Sequence, residues 1–184
     1  MKTGSLVLLG AFLGATLSVG AMATNSLDNF ASTEDSPWAF VSDQVMGGVS
    51  TGQMAMDVQD GAHVMTLKGT VSTENNGGFI QVRREVPAES LQGAAGVYLI
   101  ARGNGERYFV HLRSKWTILP WQYSQAGFDT TEQWQEIRVP FSEFKASGWM
   151  LPGRLKGADI RSLGVVAFGR DHVSNVSIKE VGFY

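Results

Sequence analysis

The chain has 184 residues, of which 43% are hydrophobic and 17% charged, and its formal net charge is −2 at pH 7. This balance fits one globular domain that can bury a core, and it lacks the positive field that draws proteins to nucleic acid. With no cysteine in the sequence, disulfides, thiolate nucleophiles and cysteine-bound zinc are excluded. The 22 glycines and the aromatic content of 10% favour an all-β fold with many turns.

The N-terminal residues have the order of a secretory signal. Lys2 supplies a positive charge, Ser5 to Val19 is uncharged and apolar, and Ala21-Met22-Ala23 has the small residues of a cleavage site. We therefore expect a cleavable signal peptide over residues 1–23 and a single β-sandwich domain over residues 24–184. A cysteine-free exported chain suits a bacterial periplasm. An uncleaved anchor is the alternative, since the apolar stretch nearly has the length that crosses a bilayer.

The first clear hairpin follows a glycine-rich corner at residues 43–50. Met54, Met56 and Val58 alternate along one strand, Asp60-Gly61 is a hairpin turn signal, and His63 to Lys68 alternates as the returning strand. We therefore predict an antiparallel pair at this point of the chain.

The strand predicted next, Phe79 to Val86, has a polar face formed by Gln81, Arg83 and Glu85, which either meets solvent or lines a groove. Further strands follow to the end of the chain, and short helical turns are predicted at Pro140 to Lys145 and Asp159 to Ser162. About ten short strands with one or two helical turns indicate a sandwich or barrel.

Two motifs in the sequence only superficially suggest catalysis. Gly48 to Gly52 matches the nucleophile-elbow pattern around Ser50, but strand-like alternation follows where that motif needs a helix. Gly103-Asn104-Gly105 lacks the third glycine of a dinucleotide site. The first therefore predicts a structural corner, with Met46 filling the core beneath it, and the second predicts a tight turn.

Histidines and acids offer no obvious catalytic or metal-binding set. His63, His111 and His172 have no helical metal-ligand spacing, and His172, in a loop, is the best functional candidate among them. An enzyme would require Asp43, Asp171 and His172 to converge in one pocket. We expect no enzymatic activity, no metal and no cofactor.

Five aromatic side chains are candidates for a platform that binds a sugar or a peptide, because such rings combine contact area with a polar group. Burial of most of them in the core is the competing interpretation, and we favour it, with Trp116 and Trp149 expected to be exposed. The five are Trp116, Trp121, Tyr123, Trp134 and Trp149.

Several motifs, taken in order, resemble the complex I intermediate-associated protein 30 family over about Phe30 to Tyr184. The family usually has Gly-Asp-Gly where this chain has Gly103-Asn104-Gly105. The resemblance implies a galactose-binding-like jelly-roll β-sandwich and non-catalytic work, since mitochondrial members assist assembly of respiratory complex I as chaperone-like factors. The matching motifs are Trp38, Val41 to Ser50, Asn75 to Phe79, Arg102 to Gly105 with Tyr108, and Trp134, Val139 to Phe141 and Phe144.

We therefore expect an exported, non-catalytic binding or assembly module that acts on a protein partner. A periplasmic carbohydrate-binding domain is the alternative, and an uncharacterised enzyme is the third hypothesis. No nucleic acid and no stable membrane insertion after signal cleavage are expected. The candidate residues for binding the ligand or partner are Asp43, Met46, Gly47, Gly48, Ser50, Asn76, Gly77, Gly78, Phe79, Arg83 and Tyr108.

Overall fold

The computed structural model describes residues 24–32 and 36–184; the predicted signal peptide lies outside these ranges. Within them the chain forms strands joined by loops and short 3-10 turns, so the all-β prediction is confirmed. The twelve strands are β1 (Asn25–Asp28), β2 (Ala39–Ser42), β3 (Thr51–Gln59), β4 (Ala62–Val71), β5 (Phe79–Glu85), β6 (Gly96–Gly103), β7 (Arg107–Ser114), β8 (Ser124–Asp129), β9 (Gln135–Pro140), β10 (Lys145–Ala146), β11 (Ile160–Phe168) and β12 (His172–Phe183).

The strands form two six-stranded antiparallel sheets. In the first sheet the order is β3-β4-β12-β6-β9, with β1 paired to the far end of β12. In the second sheet the order is β10-β8-β7-β11-β5-β2. Neighbouring strands in both sheets are mostly distant in sequence, as in sandwiches whose connections cross between sheets.

A single hydrophobic cluster fills the space between the sheets. Every second residue of β7 points into it, because side chains alternate along a strand. β12 does the same on either side of a bulge between Ile178 and Glu180. Among the described residues, the largest fully buried side chains include Tyr108, Phe30, Phe183, Met65 and Leu67. The opposite positions of each strand form the two outer faces of the sandwich.

The predicted hairpin is confirmed, with β3 and β4 in register from Thr51 opposite Thr70 to Gln59 opposite Ala62. Asp60 and Gly61 both have positive φ, 53° and 78°, as a tight hairpin turn requires. The helical turn expected near Pro140 is present at Phe141–Glu143.

The helical turn predicted at Asp159 to Ser162 is wrong. The 3-10 turn there is Gly157–Asp159, and β11 begins at Ile160. The residues after Asp159 carry the apolar run of a buried strand, so pairing with β5 and β7 outweighs the local capping signal. Among the described residues, no helix is both long and apolar enough to span a membrane.

Candidate functional site

A buried carboxylate organises the motif corner, the name used here for residues 43–50. Asp43 is 0% exposed and begins a 3-10 turn that ends at Met46. Its Oδ1 accepts a hydrogen bond from the Ser50 amide at 2.9 Å, and its Oδ2 accepts one from the Ser50 hydroxyl at 2.5 Å. Asp43 therefore links the first and last residues of the motif corner.

The same carboxylate ties the corner to the segment that precedes β5. The amides of Gly78 and Phe79 donate to Asp43 Oδ2 at 2.6 and 3.2 Å. Burial alone raises the pKa of Asp43, but these hydrogen bonds and those from Ser50 outweigh it, so its pKa lies below the ordinary 3.8. Asp43 is thus held as a buried anion that joins two loops.

Two glycines allow the backbone to pass directly against this carboxylate. A Cβ on Gly48 would lie 2.3 Å from Asp43 Cγ, and a Cβ on Gly77 would lie 2.4 Å from Asp43 Oδ2. Gly47 adopts the left-handed conformation, with φ at 89°, and so ends the 3-10 turn. The Asp-x-x-x-Gly-Gly spacing is therefore explained by packing around the acid.

The remaining candidate residues divide between interior and surface. Ser50 and Gly78 are buried with Asp43, whereas Asn76 is exposed in a left-handed turn with φ at 57°. The Phe79 side chain is half-buried and Arg83 is exposed, both on the outer face of the second sheet. Only these last two therefore lie on a sheet surface.

Tyr108 is fully buried rather than exposed to a ligand. Its hydroxyl donates to Asn104 Oδ1 at 2.7 Å and accepts from the Asn175 amide at 2.8 Å. The Asn104 amide nitrogen in turn donates to the Val173 carbonyl at 2.8 Å. This donation explains the asparagine in the Gly103-Asn104-Gly105 turn, because an ionised aspartate could not make it.

Exposed apolar side chains project from the motif corner. We expected Met46 to fill the core beneath it, but this side chain is 62% exposed, and that expectation is wrong. Val45 and Val49 are 75% and 41% exposed. A one-turn 3-10 segment leaves Val45 and Met46 pointing outward because the inward position is taken by Asp43.

The outer face of the second sheet has a different character. Val166 lies at its centre, between Phe109 and Gln81 in the register, and is fully buried although it is outside the core cluster. Larger side chains surround it on the same face. On the polar side of the Phe79 to Val86 strand, Gln81 is half-buried, whereas Arg83 and Glu85 are exposed to solvent.

His111 is the most unusual residue of this face. Its ring stacks on Tyr123, with centroids 4.0 Å apart and planes 9° apart, and Phe168 meets it edge-on at 5.7 Å. The side chain is 9% exposed, and its Nε2 has no hydrogen-bond partner among the described residues. Burial lowers the pKa of His111 to about 4, which the Gln125 side chain opposes only in part. The imidazole is therefore neutral.

Gln125 lies directly opposite His111 in the β7–β8 register, and its Oε1 is also buried without a partner among the described residues. Unsatisfied buried polar atoms are rare in native proteins and cost about 1–3 kcal/mol each. Here the two atoms are a complementary donor and acceptor that interact weakly with each other, since Gln125 opposes the lowering of the His111 pKa, yet no hydrogen bond of good geometry joins them. Donors flank this group, since Arg83 lies in the same cross-strand row as His111 and Arg113 lies two residues beyond it on β7. Burial, and to a lesser extent the charge on Arg83, lowers the pKa of Arg113.

The sequence alone did not identify this group. Strand alternation places His111 opposite the core positions of β7, which is a usable signal. Its pairing with Gln125 depends on a register set by the long loop between β7 and β8, and no local pattern encodes it. Phe168 reaches the group only through the β7–β11 pairing.

The five aromatic candidates do not pack the core, so that expectation is wrong. Tyr123 and Trp134 are half-buried on opposite outer faces, and Trp134 lies between two cations, Arg102 and Lys179, each 4.7 Å from its ring. Trp116, Trp121 and Trp149 are exposed, which confirms the prediction made for Trp116 and Trp149.

The residues required for catalysis share no hydrogen bond in the described part of the chain. Asp43 is used by Ser50, Gly78 and Phe79 as described above. Asp171 accepts from Thr73, and His172 Nδ1 is 2.8 Å from the Arg170 carbonyl. Across residues 24–32 and 36–184, histidine and acidic side chains also form no cluster of three or more that fits a metal ion.

Solved structures with this fold include carbohydrate-binding modules. A family 11 module of the cellulosomal cellulase Lic26A-Cel5E of Clostridium thermocellum superposes with a TM-score of 0.70, at 15% identity, over 89% of this chain and 95% of the module. The module of that family from Clostridium thermocellum in complex with a β-1,3-1,4-mixed-linked tetrasaccharide gives the same score and identity, over 89% and 96%. A family 30 module scores 0.57 at 12% identity, covering 88% of each chain.

These likenesses establish the galactose-binding-like jelly-roll sandwich that the sequence predicted. No curated protein matches the chain. The profile of one protein family, described as complex I intermediate-associated protein 30, matches residues 28–175, which include the motif corner and most of both sheets. The chain belongs to the complex I intermediate-associated protein 30 family.

Proposed function

We propose that this protein is a non-catalytic binding module that holds a glycan on the outer face of its second sheet. The observation that carries the proposal is the stacked His111–Tyr123 pair, with His111 Nε2 and Gln125 Oε1 beside it, two complementary polar atoms that no well-formed hydrogen bond joins to a described residue. Export through the N-terminal signal, which we also propose, would bring the module to extracytoplasmic polysaccharides.

Sugars offer the two kinds of contact that this face lacks. Their C–H faces pack on aromatic rings, and their hydroxyls both donate and accept hydrogen bonds. A hydroxyl placed between His111 and Gln125 could accept from an imidazole N–H and donate to an amide oxygen. Such a hydroxyl would complete both contacts with good geometry.

Planar polar side chains around the aromatic pair offer further hydrogen bonds to a sugar along the sheet. Gln81 lies two strands away on the same face, and Arg83 and Arg113 flank it. Guanidinium and carboxamide groups suit the paired hydroxyls of a sugar because they present several donors in one plane. The tetrasaccharide complex of a structural neighbour supports the choice of an oligosaccharide as the first ligand to test.

The test is a calorimetric titration of the purified protein with that mixed-linked tetrasaccharide, followed by other β-linked glucans, chitooligosaccharides and xylooligosaccharides. We expect one of these to bind, and Tyr123→Ala to weaken its binding at least about tenfold, equivalent to about 1.4 kcal/mol. Trp134→Ala is the matched control, since it removes an aromatic ring from the other sheet and should leave affinity unchanged. Equal losses in both variants, or no binding to any glycan, would contradict the proposal.

A protein partner at the motif corner is the second candidate function. It is supported by the exposed Val45, Met46 and Val49 side chains, which the Asp43 hydrogen bonds hold on a fixed loop. The test is affinity capture from the native host with the wild-type protein and with the Val45→Ser/Met46→Ser variant. A partner retained only by the wild-type protein supports this function, and identical capture profiles count against it.

A further inference from the structure

One end of the sandwich carries a concentration of exposed apolar side chains that the proposed glycan face does not use. The two loops concerned are residues 115–123 and 147–156, called here the tryptophan end. Its exposed side chains include Trp149 at 93% and Ile118 at 84%, and the full set is Trp116, Ile118, Trp121, Trp149 and Met150.

The two loops form one surface. Ser147 accepts from the Tyr123 amide at 3.0 Å and lies 3.2 Å from the Trp121 carbonyl, to which its hydroxyl donates. Trp116 lines a small cleft together with Leu151 and Leu155 of the second loop. The indoles of both loops therefore belong to a continuous end of the molecule.

The charges around this end are opposite in sign to those of the whole chain. Residues 113–123 and 145–161 contain six basic side chains and one acid, Asp159, although the chain carries a net charge of −2. Lys115 pairs with Asp159 at 2.7 Å. Glu85, Glu89 and Glu143 on neighbouring elements reduce the excess but leave it positive. Lys145, Arg154, Lys156 and Arg161 form no ion pair with a described residue, and neither does Arg113, which borders the glycan face.

The chain enters the described fold at this same end. Asn25 pairs with Phe183 and donates to the Gln92 carbonyl. The turn Ala88–Leu91 just before Gln92 contacts the turn Gly157–Asp159, whose Asp159 accepts from the Trp116 indole. The uncharged apolar stretch Ser5 to Val19 lies a few residues upstream in the sequence.

We propose that the tryptophan end docks the protein peripherally on an anionic lipid bilayer. Indole rings favour the boundary between headgroups and acyl chains, where their apolar body and N–H are both satisfied. Lysine and arginine around them are attracted by anionic headgroups. Ile118 and Met150 add apolar area at the loop tips, and the glycan face stays on the side of the sandwich, free to bind its own ligand.

The test is co-flotation of the purified protein with vesicles of phosphatidylglycerol and phosphatidylcholine, in comparison with pure phosphatidylcholine, at low and at 0.5 M salt. Intact mass first establishes whether the signal residues are present in the sample. We expect binding to the anionic vesicles, little binding to the neutral ones, and release by salt, which screens the attraction. Trp121→Ser/Trp149→Ser should lower the partition coefficient at least about tenfold, and Lys156→Gln/Arg154→Gln severalfold.

The control is Trp134→Ala, which removes a tryptophan remote from this end, and circular dichroism melting checks that each variant is folded. Binding by wild type and Trp134→Ala with loss in Trp121→Ser/Trp149→Ser supports the proposal. No binding to anionic vesicles, or equal binding to neutral vesicles through the N-terminal stretch, overturns it. Loss of polysaccharide or partner-protein binding in the tryptophan variants, without vesicle binding in the wild type, also overturns it.

Discussion

The carboxylate of Asp43 and the imidazole of His111 are both shielded from solvent, yet their surroundings differ completely. Asp43 accepts hydrogen bonds from three backbone amides and a hydroxyl, and they outweigh the cost of its burial. His111 stacks on Tyr123 and leaves Nε2 without a partner among the described residues. Complete satisfaction is what a structural ion needs, whereas a buried polar group without a well-formed bond calls for a partner such as a water or a ligand.

The comparison separates the residues that identify the family from those that suit a ligand. The Asp-x-Val-Met-Gly-Gly-x-Ser motif is recognisable because Asp43, Gly48 and Ser50 must pack in one arrangement. His111, Tyr123 and Gln125 belong to no such motif. A specific sequence motif can therefore mark the part of a protein that holds the fold, while its ligand-binding surface varies elsewhere.

The largest effect should come from Asp43→Ala. It leaves the Ser50, Gly78 and Phe79 amides buried without an acceptor, so we expect a loss of about 4 kcal/mol in the free energy of unfolding. Urea denaturation followed by circular dichroism measures this loss. Asp43→Asn keeps part of the hydrogen bonding and should lose less. A change below about 1 kcal/mol for the alanine variant would show that the corner does not depend on its acid.

The next largest effect is the pH dependence of stability, in which His111 and Asp43 should contribute over different pH ranges. The folded pKa of His111 is about 4 against an ordinary 6.5, so between these values the unfolded chain binds a proton that the folded protein does not. Stability therefore falls as the pH is lowered through that window, by up to about 3 kcal/mol from this residue. The Asp43 contribution is lost only below its ordinary value of 3.8, as the pH falls through its lowered folded pKa.

The measurement is the unfolding free energy of wild type and His111→Phe at intervals from pH 7 to pH 3. The difference between the two curves should slope between pH 6.5 and 4 and then become flat. Parallel curves throughout would mean that His111 titrates normally in the folded protein and is not held neutral by burial.

Much of the fold followed from the sequence because its signals are local. Asp60-Gly61 predicted the first hairpin, and alternation placed Gln81 and Arg83 on one face of β5. The course of the chain at Asp159 and the exposure of Met46 depend on distant partners, which local patterns do not contain. The aromatic group around His111 assembles from β7, β8 and β11, and sequence alone cannot supply the registers that join them.

Gly48→Ala should have the next largest effect on stability. It tests the close packing against Asp43 without removing the charge of that residue. Its Cβ would lie 2.3 Å from Asp43 Cγ, so the corner must shift, at a cost of about 2 kcal/mol. Gly148→Ala is the matched control, because a Cβ there meets nothing within 4 Å. Thermal unfolding of both variants measures the difference, and equal melting temperatures would show that the corner yields without strain.

His111→Phe at pH 7 should have the smallest effect on stability and a large effect on binding. Phenylalanine keeps a planar ring against Tyr123 and removes the unsatisfied Nε2, so the loss of one buried polar atom offsets any misfit and stability should stay within about 1 kcal/mol of wild type. The glycan identified by calorimetry should nevertheless bind at least about tenfold more weakly, because the ring can no longer hydrogen-bond a hydroxyl.

The two variants should therefore affect stability and affinity in opposite ways. His111→Phe should weaken glycan binding but keep stability, whereas Asp43→Asn should lower stability but leave the affinity of the folded fraction intact. Both are measured on the same samples, by urea denaturation and by calorimetric titration. If His111→Phe were strongly destabilising while binding persisted, His111 would be a structural residue like Asp43. That result would contradict the assignment of the ligand-binding site to the outer face of the second sheet.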